Sequence, residues 1–472
     1  MIIKELKTLK DNNYFIIIIG SGPAGLTTAL ELEKRKIKSL ILEAGNFKNE
    51  NNPEEYLKGK IIGDEYTDIS YSRLRQFGGT SSIWGGNCNP MYDQDLKEWP
   101  INSSDLQKYN QVTREILNLD KKENFFLEKF NNNLNYYNII WSNVKFGEKY
   151  LNHVKKSNYI HLCTNTIFEN FEGNSKTIEL INCVNGNEKI KLKSKYYILA
   201  CGGIENSRLL LWSKEINKNM FNAKMPIGKY YMDHPFHNVG EGLIFFEPFV
   251  SYFKKNNLKF KPHLTCNNNF YISGDNKFIK NQNIINSGLY IDFDTKNVNN
   301  IFKQVRCLAP KFIKNIYENL NNKDKYKISI STLQEQESDI NNKIILGKKK
   351  DPHGIPYPTL YWKKSFLERK SVRILGEEFS KVLIENNIGR INLNSYLYND
   401  DNYDVIVGNH QLGGTRIGDN ISDSVVDRNL KIHDKNNLFI NGSSVFRTAG
   451  HCHPTYTIVN LASRLADHLS KI

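Results

Sequence analysis

The chain has 472 residues, 39% hydrophobic and 24% charged, with a net charge of +14. That length allows a large core in two or three domains, and the balance excludes a disordered chain. The charge raises nucleic acid as a partner, but the lysines are scattered. The densest groups are Lys254-Lys255 with Lys259 and Lys261, Lys348 to Lys350, and Lys363-Lys364 with Arg369-Lys370. All are short, so a solvated lysine face is the simpler reading and no nucleic acid is expected; an anionic substrate drawn in by the field stays open. Seven cysteines, an odd number without a C-x-x-C pair, argue against a disulfide framework and for a reducing compartment. Met1-Ile-Ile-Lys-Glu-Leu-Lys lacks an apolar signal region, and runs such as Tyr14 to Ile19 are too short to span a bilayer, so a cytoplasmic protein is expected. Asn49 to Asn52, Asn131 to Asn133 and Asn297 to Asn300 read as solvated loops.

In chain order, Tyr14 to Ile19 suits a strand buried on both faces of a parallel sheet. It runs into Gly20-Ser-Gly-Pro23-Ala24-Gly25, then an apolar helical pattern, then a second strand Ser39 to Leu42 that ends in Glu43. This β-turn-α-β setting gives G-x-G-x-x-G its meaning. Gly20 permits the tight turn, Gly22 lets the backbone approach a pyrophosphate, Gly25 lets helix pack on strand, and Glu43 can accept from a ribose diol. FAD and NAD both fit at this point, and no second such fingerprint follows a strand.

Residues 77–90 place Gly78, Gly79, Thr80, Ser81, Trp84 and Gly85 in a tight loop suited to ligand contact. A strand-rich stretch from His161 to Ile190 leads to Tyr196 to Leu199, Gly202-Gly203 and a helical Glu205 to Leu211, again a backbone able to approach a cofactor. From about Gly228 to Tyr398 there are many short strands without β-α-β rhythm; Lys327 to Thr332 alternates as a half-buried antiparallel strand does.

The last seventy or so residues carry the chemistry. His410 precedes a glycine-rich turn; a strand at Leu438 to Ile440 runs into Asn441-Gly442-Ser443; His451-Cys-His453 precedes a helix opening at Pro454 or Thr455. That helix N-terminus can stabilise negative charge on a reduced flavin, and a histidine can take an alcohol proton as hydride leaves. His410 and His453 are therefore the catalytic candidates. His161, His433 and His468 read as ordinary core or surface histidines. His-Cys-His also resembles metal ligands, but no other Cys/His cluster has ligand spacing and no metal is expected.

These blocks together resemble the glucose–methanol–choline (GMC) oxidoreductase family. They are Gly20 to Gly25 with Glu43, Gly78 to Trp84, Ala200 to Asn206, Gly228-Lys-Tyr-Tyr-Met-Asp-His-Pro235 and His410 to Leu469, with Asn341 to Pro356 similar to the family's substrate domain. The details are most similar to the branch with pyranose oxidases and sugar or polyol dehydrogenases. The resemblance implies a mixed α/β fold, in which a discontinuous Rossmann-like FAD domain carries an antiparallel substrate domain. The expected FAD segments are residues 1–100, 156–227 and 405–472. Residues 101–155 are expected as a helical or loop insert and 228–404 as the substrate domain. The resemblance also implies a histidine pair, with His410 as the usual base and His453 where this branch commonly has Asn, so the division of labour stays open. Members with covalent flavin carry a histidine at a position matched here by Ile83, which implies non-covalent FAD. The implied partners are a small alcohol, sugar-like or anionic, and an electron acceptor: oxygen, a quinone or a carrier protein. A redox-neutral lyase and a flavin-binding scaffold without turnover are the alternatives.

Overall fold

Isoleucine at four successive positions has no polar face to offer water, so the strand Ile16–Ile19 is at home only with both faces covered. In the computed structural model, which describes residues 1–3, 14–48, 54–121, 125–258, 270–293, 325–399, 403 and 405–472, these side chains are almost wholly buried. Each contributes roughly 1.5–3 kcal/mol by burial. The strand lies at the centre of a five-stranded parallel sheet in the order Leu438–Ile440, Tyr196–Leu199, Ile16–Ile19, Ser39–Leu42, Ile160–Cys163. Three separate stretches of chain thus build one sheet. The helix Pro23–Lys34 follows the first strand and packs against the C-terminal helix Thr455–Leu469. Asn441 joins the same elements, its amide donating to Thr28 Oγ1 at 3.0 Å.

The second large sheet is antiparallel. Its order is Gly389–Leu393, Pro235–Phe245, Lys325–Gln334, Ser287–Phe293, Phe270–Gly274, Leu134–Tyr137, Leu127–Lys129, with Ile406–Val407 also pairing to Pro235–Phe245. Alternation along its strands separates two faces. Leu289, Ile291, Ile328 and Ile330 bury against Val372, Leu375 and Phe379 of the helix Phe366–Glu385, while Tyr290, Ser331 and Leu333 point the other way, into a cavity.

Two features depart from the expected organisation. Residues 127–137, placed in a helical or loop insert, form a hairpin on the edge of the antiparallel sheet, and Asn131 to Asn133 form its turn. There Asn131 Oδ1 accepts from the amides of Asn133 (2.9 Å) and Leu134 (2.6 Å). The twenty-residue helix Phe366–Glu385 also lies within the strand-rich region. Its start was written in the sequence as Ser365-x-x-Glu368, which forms a reciprocal capping box. Lys254, Lys255 and Lys348 to Lys350 are exposed, as a solvated face requires. Lys259, Lys261, Asn49 to Asn52, Asn297 to Asn300, Cys266 and Cys307 lie outside the described residues.

A buried ion network ties the helix Gly203–Ile216 to the turn at Asp351. Glu205 accepts from Arg73 at 2.6 Å and from Arg208 at 2.9 Å, and Arg208 also reaches Asp351 at 2.6 Å. Among the described residues, no helix is long and apolar enough to cross a membrane.

Gly25 shows how tightly the first turn is packed, because an added Cβ would lie 2.0 Å from the Gly20 carbonyl oxygen. Gly25→Ala is therefore expected to force the first helix off the sheet. Thermal melting of the purified variant checks this, with a large drop in Tm or failure to recover folded protein as the outcome.

Candidate active site

A cavity of about 840 Å³ opens between the two sheets, within the range that holds a cofactor and a small substrate. Its floor is the parallel sheet's carboxyl end. Gly20, Gly22, Pro23 and Ala24 line it together with Glu43, and Gly79, Thr80, Ser81, Trp84 and Gly85 close one side. Gly202, Gly442, Ser443, Pro454 and Thr455 form the opposite rim, and His410 and His453 stand at one end. Three expected ligand residues have structural places instead. Gly25 packs against the first turn, Gly78 abuts the Gly147 backbone, and Asn441 holds the strand end to the helix Pro23–Lys34. Ile83 lines the cavity and offers no nucleophilic atom.

The residues present fit a dinucleotide. A Cβ added to Gly22, Gly85 or Gly202 would meet no protein atom within 4 Å, so the cradle is open where a pyrophosphate must come close. Glu43 is buried at the cavity wall, its carboxylate accepting from Ser21 N (3.1 Å), Ser21 Oγ (2.5 Å) and Gly45 N (2.8 Å). Burial pushes its pKa up against these hydrogen bonds. The helix Thr455–Leu469 starts at the rim and directs its unsatisfied amides there.

Three histidines meet at the far end. His234 Nε2 lies 3.1 Å from the Ala449 carbonyl and 3.0 Å from that of Gly450, so this nitrogen donates. Burial lowers the His234 pKa to about 4, so the ring is neutral near pH 7 and Nδ1 is an acceptor. Its partner is His410 Nδ1, 2.8 Å away. The proton in that bond belongs to His410 Nδ1, which leaves His410 Nε2 with a free lone pair. Burial, then the neighbouring His453 and His234, hold the His410 pKa well below 6.5. His453 packs edge-on to His410 with ring centroids 4.9 Å apart. Its Nε2 lies 3.1 Å from Asn87 Nδ2, while Nδ1 is buried without a hydrogen-bond partner among the described residues, and burial lowers its pKa to about 3.

Asp233 fixes this cluster. Its Oδ1 accepts from the backbone amides of His234 (2.7 Å) and His410 (2.8 Å), and its Oδ2 from the Tyr66 hydroxyl. Asn409, next to His410, has φ of 56°, an unusual backbone that the turn imposes. Asp233 and His234 belong to the Gly228 to Pro235 block, but that block's sequence carries no local signal for their role.

His451 is not a third base. It forms a fully buried ion pair with Asp95 at 3.0 Å, and the Asn286 amide also donates to Asp95 at 2.8 Å. Burial lowers the His451 pKa, but Cys452 and Asp95 outweigh it and hold the imidazole well above its ordinary range. Asp95, His451 and Cys452 bring ligand-type atoms within 4.8 Å of one another. The imidazole lies between the other two, with Nδ1 on Asp95 and Nε2 3.8 Å from Cys452 Sγ, a chain of contacts rather than a convergent shell.

A cradle at the carboxyl end of a parallel sheet, roofed by an antiparallel sheet and ending in a histidine cluster, is the site of a nucleotide-cofactor oxidoreductase by class. Residues 341–462 match the family described as GMC oxidoreductase. The fructose dehydrogenase large subunit of Gluconobacter japonicus is 25% identical over 281 residues, 59% of this chain and 47% of that protein. This chain thus spans about half the length of the curated relative it matches. Formate oxidase superposes with a TM-score of 0.58 at 15% identity, covering 98% of this chain and 99% of that one. Pyridoxine 4-oxidase from Mesorbium loti gives 0.58 at 12%, covering 97% and 99%. A formate oxidase variant of Aspergillus oryzae, studied for FAD modification, gives 0.58 at 15%, covering 98% and 99%. The structural likenesses carry the fold. The family match over residues 341–462 supports a FAD-dependent oxidoreductase.

Gly22 separates ligand contact from folding. Its φ of −69° suits any residue, and an added methyl has room. Gly22→Ala at this helix start is expected to cost the apoprotein no more than about 1 kcal/mol, while lowering the flavin recovered with the purified protein. Absorbance at the flavin band and a thermal melt of the apoprotein check the two halves.

Proposed function

We propose that this protein oxidises an alcohol carbon of a small organic substrate, with FAD bound non-covalently in the cleft and His410 as the base. The observation that carries this reading is the hydrogen bond from His410 Nδ1 to His234. It leaves His410 Nε2 unprotonated and able to take the hydroxyl proton. FAD, when bound, supplies the acceptor for the hydride that leaves the same carbon as the carbonyl forms.

Every other part belongs to the chain. His453, held by Asn87, packs edge-on beside His410 and lines the same end of the cavity, where it helps to position the His410 ring. The first amides of the helix that starts at Thr455 favour negative charge at the rim. Glu43 and the open glycine cradle suit the ribose and pyrophosphate. Ile83, which the resemblance matches to the linking histidine of covalent members, lines the cavity with no nucleophilic atom, so denaturation should release the flavin. The name of the matched relative, a fructose dehydrogenase, favours a sugar or polyol as substrate, in line with the sugar-oxidising branch that the motifs resemble. Cys88, Cys163, Cys183, Cys201 and Cys452 are free thiols, which suits the cytoplasm. The two electrons then pass to oxygen, a quinone or a carrier protein.

His410→Ala is expected to retain flavin and to slow its anaerobic reduction by an alcohol by about 10²–10⁴-fold. Near-normal reduction removes His410 from the role. His234→Ala releases the tautomer lock and is expected to cost a few-fold to about tenfold, the worth of one hydrogen bond. The base works when unprotonated and its pKa is lowered, so activity falls only as pH drops through a value below 6.5. A pH profile of the reduction rate whose acid limb lies above pH 7 contradicts this assignment.

A further inference from the structure

The carboxylates lining the cavity differ in how they are used. Glu43 accepts from Ser21 and Gly45, Glu205 is paired with Arg73 and Arg208, and Asp351 with Arg208. Asp292 also lines the cavity, half-buried, and has no hydrogen bond or ion pair among the described residues. Burial pushes its pKa above the ordinary carboxylate range. A partly desolvated carboxylate without a partner is unfavourable, and a ligand's donor would relieve it.

The sheet register says where such a donor would lie. Asp292 is on the strand Ser287–Phe293, on the same face as Tyr290, and Tyr290 pairs across to Ser331. Phe236, Tyr290, Ser331 and Leu333 share this cavity wall with Asp292, and together they offer an aromatic surface, the hydroxyls of Tyr290 and Ser331, one carboxylate and no cation. At the other end of the strand, a Cβ on Gly288 would lie 3.5 Å from His451 Cδ2, beside the histidine segment. Asp292 is four residues further, about 13 Å along the strand at ~3.3 Å per residue. It therefore faces a part of the substrate remote from the reacting carbon. No lysine lines the cavity among the described residues, so the +14 charge is not matched by basic side chains at this wall.

We propose that Asp292 is a specificity-determining residue that receives a hydrogen-bond donor, hydroxyl or ammonium, at the far end of the substrate, and that it rejects substrates with an anionic group there. This rests on the alcohol-oxidising function above and names its substrate class: a polyhydroxylated or amine-bearing alcohol long enough to reach from His410 to Asp292. The anionic substrate that the net charge first suggested is disfavoured by the like charge.

The test uses the flavin-loaded protein and its Asp292→Asn and Asp292→Lys variants, each checked for unchanged flavin content and Tm. Anaerobic flavin reduction is followed with glucose, glucosamine and glucuronate, and with cellobiose, chitobiose's deacetylated diamine and cellobiuronate as longer counterparts. Thermal shift of the loaded protein by each compound gives a second readout. The expected wild-type order is neutral or amine-bearing over anionic. Asp292→Asn should lower the preference for amine over carboxylate about tenfold or more, and Asp292→Lys should reverse it, more strongly for the longer compounds. Reduction with the same charge preference in all three proteins overturns the role of Asp292 and leaves the proposed reaction standing. If no alcohol in a wider panel of polyols and secondary alcohols reduces the wild-type flavin, the underlying reaction fails and the inference with it. Variants that lose flavin or Tm are judged by Asp292→Glu, which keeps the charge and must keep the preference.

Discussion

The buried carboxylate of Asp233 is the joint on which the histidine cluster depends. One oxygen accepts two backbone amides, those of His234 and His410, from stretches of chain 177 residues apart for the longer bond. The other oxygen accepts from Tyr66, which also bonds Tyr231 at 2.8 Å. Burial raises the Asp233 pKa to about 6 despite these donors. Satisfying a buried carboxylate with main-chain donors constrains the peptide planes themselves, and these set the directions of the rings that follow. The bond between His234 and His410, and with it the proton location on His410, follows from that constraint.

The cavity is a consequence of two sheets with different needs. The parallel sheet is apolar on both faces and leaves only its carboxyl end for chemistry. The antiparallel sheet buries one face under the helix Phe366–Glu385 and turns the other to the cavity. Its alternation therefore decides which residues can meet a substrate: Tyr290 and Ser331 face in, while Leu289 and Ile330 are committed to the core. The ion network of Arg73, Glu205 and Arg208 lies against the cavity without opening to it as free charge.

Structure is legible in the sequence where a short stretch contains its whole reason. Gly20 to Gly25 between a strand and a helix, the strand Leu438–Ile440, and the helix after Pro454 each depend on neighbours a few residues away. The hairpin at 127–137 is not legible in the sequence, because its Asn-rich turn has the composition of a solvated loop and its strands are short. Ser365 and Glu368 announce the helix Phe366–Glu385, but short strands on either side mask it in the residue pattern. The family resemblance singles out His453 beside Cys452, but the role of His451 on the other side depends on Asp95, 356 residues away, which makes it an ion-pair partner.

The sequence by itself determined the nucleotide cradle, the parallel sheet that presents it and the two loops that bring His410 and His453 to one place. These follow from glycine geometry, apolar runs and helix start signals, all properties of neighbouring residues. The tertiary structure alone decided which nitrogen of His410 is free to accept a proton, and which carboxylate in the cavity is without a partner among the described residues. Both depend on hydrogen bonds and burial between residues far apart in the chain, and neither burial nor a bond partner is written in the order of the residues.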